Sequence, residues 1–66
     1  MDNDLAAWRA ERGWSQAALA EALGVSRQTV ISIERGRFDP SLPLAFRIAR
    51  VFECAIEDVF RPDDAG

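Results

Sequence analysis

The chain has 66 residues, eight arginines against eleven acidic residues, a net charge of −3, one Cys and no His. That length holds one small domain near the lower limit for folding without staples, and 48% apolar residues, with two Trp and four Phe, supply a core and exclude a disordered chain. One thiol without imidazole excludes an intrachain disulfide and a zinc ligand set, and leaves no base to activate a Cys or Ser nucleophile.

No catalytic constellation remains, so the chain is not read as an enzyme, and neither a cofactor nor a metal is expected. Cys54 reads as a small buried residue, and Glu57-Asp58 as a solvated helix end rather than an acid–base pair. The start, MDNDLAAW, is acidic and lacks an apolar secretory segment. No uncharged run is long enough to span a bilayer. A cytoplasmic protein without a membrane partner is expected.

The pattern predicts an all-α chain of short helices joined by tight breaks. No stretch keeps a period of two, so no strand is expected. The first helix is placed at about Asn3 to Arg12, with Asp2, Asn3 or Asp4 able to cap it. Leu5, Trp8 and Arg12 share a face, Gly13 ends the helix, and Trp14 packs behind it as a plug. Ser15 caps a second helix, Gln16 to Leu23, whose inner face is Leu19, Ala20 and Leu23. Gly24 takes a left-handed turn position and Val25 is buried. Ser26 caps a third helix, Arg27 to Arg35, with Val30 and Ile33 inward, and Gly36 stops it. Arg37 to Ser41 form a loop, with Phe38 folded back onto the core. A fourth helix starts within Ser41 to Pro43. It turns Leu44, Ile48, Val51 and Phe52 inward and Arg47 and Arg50 outward. A break at Glu53-Cys54 leads to a fifth helix, Ala55 to Phe60, ended by Arg61-Pro62. The last four residues, DDAG, are expected to fray. The whole of 1–66 is taken as one domain.

Gln16, Ala20, Gly24, Val30 and Ile33 are spaced 4, 4, 6 and 3 residues apart. Ala20 is small where two helices cross, Gly24 turns the chain sharply, and Val30 and Ile33 anchor the third helix so that its other face stays exposed. This is a helix-turn-helix over about 16–35, an arrangement whose second helix enters the DNA major groove.

SQAALAEALGVSRQTVISIERGR followed by PSLPLAFRIARVFECAIEDVF resembles the Xre/Cro-type regulators of lambda-repressor-like fold, most of all the small stand-alone members. The resemblance covers about residues 5 to 60. It includes the Arg9 and Glu34 positions, the PSL loop and the AIEDVF end. It implies a compact five-helix domain that binds double-stranded DNA sequence-specifically, usually as a dimer. Relatives often have Gly or Asn where this chain has Glu53, and a left-handed Glu costs about 1 kcal/mol.

The candidate DNA-binding residues follow. Gln28, at the start of the recognition helix, suits a bidentate bond to adenine. Arg27 suits guanine or a phosphate, and the sequence does not choose. Ser26 and Thr29 can donate to phosphates, with Ser26 mainly a cap. Ile31 and Ser32 occupy the next turn. Ile31 either touches a thymine methyl or is partly buried against the first helix or the loop. Gln16, at a helix start, suits a phosphate, the role the resemblance also implies for it. Arg35 and Arg37 flank Gly36 as phosphate clamps. For Arg9 and Glu34 the resemblance implies a partly buried, structural salt bridge that holds the recognition helix in place. Trp8, Trp14, Phe38 and Phe52 are expected in the core, not as stacking platforms for single strands. Ile56, Val59 and Phe60 are more apolar than a short terminal helix needs. Together with Asp39 and Pro40 they are candidates for a dimer seam, with a dimer-forming end over about 55–62; the alternative is that all three cap the monomer core.

Charge is unevenly spread. Residues 26–37 carry three Arg and one Glu, net +2, and residues 53–64 carry five acids and one Arg, net −4. The expected function is a transcriptional regulator, most simply a repressor acting as a homodimer on a palindromic operator. Two further readings are an antitoxin that binds a toxin and its own promoter, and a protein-interaction module without DNA binding. The polar face of the third helix argues against the last.

Overall fold

The structure, a computed structural model, describes residues 1–62; the expected fraying at 63–66 lies outside the described residues. A two-residue strand β1 (Asp2–Asn3) precedes four helices, α1 (Leu5–Glu11), α2 (Gln16–Leu23), α3 (Arg27–Glu34) and α4 (Leu42–Phe52). A short helix α5 (Ile56–Val59) and a strand β2 (Phe60–Arg61) follow. The five expected helices are present in the expected order.

Three side-chain caps set the helix starts. Ser15 Oγ accepts from Ala18 N–H at 3.0 Å, Ser26 Oγ from Thr29 N–H at 3.1 Å, and Ser41 Oγ from Leu44 N–H at 3.3 Å. Between α2 and α3, Gly24 has φ 73°, and Val25 N–H donates back to Ala20 O at 3.0 Å. These bonds close α2 and let the chain leave at the angle α3 requires. Leu19, Ala20 and Leu23 of α2 meet Val30 and Ile33 of α3, Leu44, Ile48 and Phe52 of α4, and Leu5 of α1 in one core. Arg47 is exposed, in line with its outward placement, yet its side chain is not free. Its Nη1 donates to Leu23 O at 2.7 Å, so a cation on α4 closes the carbonyl end of α2.

Two corrections concern the ends of the fold. A two-stranded antiparallel ribbon pairs Asp2 with Arg61 and Asn3 with Phe60. Strands of two residues carry no period to read. The ribbon moves the start of α1 to Leu5, two residues after the expected Asn3. Asn3 Oδ1 still accepts from Leu5 N–H at 3.0 Å, while the Asp4 carboxylate is held by Arg61 at 2.7 Å. The expected helix from Ala55 to Phe60 contracts to one turn because Phe60 joins β2.

Phe38 is the other correction: it is 48% exposed and does not fold onto the core. Leu42 and Phe46 on α4 are exposed as well, at 65% and 53%. Trp8 and Trp14 are half-buried, with ring centroids 5.8 and 5.5 Å from that of Phe52. Arg12 lies across all three rings and donates to Phe52 O at 3.1 Å.

Candidate nucleic-acid interface

α3 has two sides because Val30 and Ile33 are fully buried. Gln28, Ser32 and Arg35 follow one another at i, i+4 and i+7 on the side turned from them, with Arg27 and Ile31 alongside. Arg27, Gln28, Arg35 and Arg37 are exposed, and Thr29, Ile31 and Ser32 are half-buried. The half-buried Ile31 agrees with the partial-burial reading while leaving part of the side chain on the exposed face. Ser26 is a cap first: its Oγ takes Thr29 N–H and lies 2.9 Å from Thr29 Oγ1. α2 and α3 have no acidic residue in their first turns, so the positive ends of both helices are uncompensated by their own side chains. α5, in contrast, carries Glu57 and Asp58 in its first turn, and Asp58 Oδ2 accepts from Ala55 N–H at 3.0 Å.

Arg9 and Glu34 form the ion pair, with Arg9 Nε 2.6 Å from Glu34 Oε2 and Nη2 3.3 Å from Oε1. The side chains are 19% and 7% exposed. Arg9 Nη1 also donates to Trp14 O at 2.8 Å. Gln16 joins this network, donating from Nε2 to Glu34 Oε1 at 3.0 Å. That bond was absent from the sequence reading, because the two positions are 18 residues apart and no local period links them. Arg47 at the end of α2 was missed for the same reason.

The candidate seam residues divide. Val59 is fully buried and Phe60 is 5% exposed, so both belong to the monomer core, as does the alternative already noted for them. Ile56 is half-buried and, with Pro40, Leu42, Ala45 and Phe60, lines an apolar groove of about 330 Å³. Asp39 is paired with the Met1 α-ammonium at 3.0 Å. Cys54 is half-buried, and burial, reinforced by the Asp58 charge, pushes its thiol up. At neutral pH it is protonated and a poor nucleophile.

A helix-turn-helix family model, HTH_3, matches residues 5–59. An uncharacterised HTH-type transcriptional regulator of Methanocaldococcus jannaschii is 53% identical over 64 residues, covering 97% of each chain. Among solved structures, the restriction-modification controller protein C.AhdI of Aeromonas hydrophila superposes with a TM-score of 0.77 at 30% identity, over 85% of each chain. A hypothetical transcription factor, NHTF, of Neisseria superposes with a TM-score of 0.74 at 30% identity. It is longer, and the match takes in 82% of this chain and 61% of that one.

Proposed function

Since the chain belongs to the HTH_3 helix-turn-helix family of transcriptional regulators, we propose that it is a repressor that binds a two-fold symmetric operator as a homodimer. α3 lies in the major groove and supplies the base contacts. Gln28 pairs with adenine, Arg27 with guanine or a flanking phosphate, and Ile31 and Ser32 touch the next base pairs. Gln16, Ser26, Thr29, Arg35 and Arg37 hold the phosphates on either side. The observation that carries this reading is the exposed polar stripe of α3 opposite the fully buried Val30 and Ile33.

Size supports the dimer. Eight residues of α3 span about 12 Å, enough for a few base pairs only. The molecule measures 35 × 23 × 21 Å. Dimensions of this order are compatible with two copies reading half-sites one turn of DNA apart, roughly 34 Å. The groove beside Ile56 and the exposed Leu42 and Phe46 give each copy an apolar surface for the other. Asp39 and Pro40 lie at the rim of this seam. With no long apolar helix among the described residues, a cytoplasmic location fits the same reading.

Selection of random duplex DNA by the purified protein at near-physiological salt tests the proposal. A two-fold symmetric motif is expected. No enrichment by a folded protein would contradict it. An Arg27→Ala/Gln28→Ala variant run beside it is expected to lose the motif.

A further inference from the structure

We infer that Glu34 positions Gln16 for its phosphate contact, in addition to pairing with Arg9. This rests on the DNA contact proposed for Gln16. A carboxylate only accepts hydrogen bonds. Facing Glu34 Oε1 at 3.0 Å, the Gln16 amide must therefore turn its nitrogen inward. The reversed amide would set oxygen against oxygen. One N–H is bound to Glu34, and among the described residues the second has no protein partner. That second N–H is the donor left for a phosphate.

Glu34 is itself held. Its two oxygens take Nε and Nη2 of Arg9, and Arg9 is tied to Trp14 O, one residue before the Ser15 cap of α2. Gln16 is the first residue of α2 and Glu34 the last of α3. One carboxylate thus fixes the donor at the start of the first helix of the motif to the end of the second. Arg9 also neutralises Glu34. Without it an anion at this place would repel the phosphate that Gln16 is to hold.

The test is the loss caused by Gln16→Ala in two backgrounds. One is the natural chain. The other is Arg9→Met/Glu34→Leu, which removes the acceptor without stranding a charge or altering net charge. In the natural background Gln16→Ala is expected to weaken binding to the selected duplex about tenfold. In the second background the same change is expected to alter binding less than twofold, because the amide is no longer aimed. An undiminished tenfold loss there would overturn the positioning role and leave the Gln16 contact standing. No loss in the natural background would instead overturn the contact. A second measurement needs no DNA and uses the same Arg9→Met/Glu34→Leu variant, which leaves Gln16 no acceptor at this position. The two Nε2 protons of Gln16 are expected to be well separated in the NMR spectrum of the natural chain. In the Arg9→Met/Glu34→Leu variant they are expected to collapse toward the positions of a free amide. An unchanged pair of signals would also overturn the positioning role.

Discussion

Glu53 adopts φ 54°, ψ 49° because the chain must turn from α4 into α5 within three residues. Its N–H and that of Cys54 close the helix on Arg50 O and Ala49 O. An L side chain there opposes the left-handed region by about 1–2 kcal/mol, whereas Gly loses more freedom on folding. Glu53→Gly is therefore expected to stabilise the fold by about 0.5 kcal/mol, a rise of about 2–4 °C in melting temperature. A fall in melting temperature would contradict the assignment of strain. At the buried pair the sign is opposite. Glu34→Ala leaves the Arg9 charge largely buried and is expected to cost about 3 kcal/mol. The apolar exchange of both residues is expected to stay within about 1 kcal/mol of the natural chain. Chemical denaturation of the two variants distinguishes a pair that fixes geometry from one that supplies stability.

At the scale of the elements, the ribbon β1–β2 is fastened by Arg61, which bonds Asp2 at 3.1 Å and Asp4 at 2.7 Å. The bond from Arg61 holds the Asp4 carboxyl below its ordinary value. A depressed carboxylate stabilises the fold fully above its unfolded value, near 4, and less as pH falls through the folded value. The melting temperatures of the natural chain and of Arg61→Gln are accordingly expected to converge as pH falls below about 4. A gap independent of pH would contradict the clasp. The helices themselves were readable because each carries local signals: Ser15, Ser26 and Ser41 as caps, Gly24 as a turn, and apolar spacing on α2 and α4. The ribbon was not, since Asp2 and Arg61 are 59 positions apart in the chain and only tertiary folding brings them together. Phe38 was misplaced because hydrophobicity alone does not say which side of a loop faces the core. The exposed polar face of α3 could be read from the spacing of Val30 and Ile33, but the Gln16–Glu34 bond needed coordinates.

For the whole molecule, surface and charge bear on the proposed contacts with DNA and with a second copy. Arg27, Arg35 and Arg37 surround the recognition helix, and Glu53, Glu57 and Asp58 gather around α5. With few cations on the α3 face, non-specific binding is expected to be weak, and in the proposed function base contacts and dimerisation then supply more of the affinity. Phe46 is 53% exposed, and Phe46→Glu removes apolar surface without opening the core. It is expected to leave the stability of the monomer within about 0.5 kcal/mol of its natural value and to shift sedimentation from dimer to monomer. A variant that still sediments as a dimer would place the seam elsewhere.

Reading of DNA by α3 is tested most directly by discrimination. The quantity is the ratio of affinities for the selected duplex and a scrambled one at a single salt concentration, for the natural chain and for Arg27→Ala/Gln28→Ala. Loss of the Gln28 base contact is expected to cut the ratio about tenfold, and further where Arg27 reaches guanine, while Arg37→Ala weakens both duplexes alike and lowers the salt slope by about 1. An undiminished ratio in the folded double variant would contradict sequence reading by this helix.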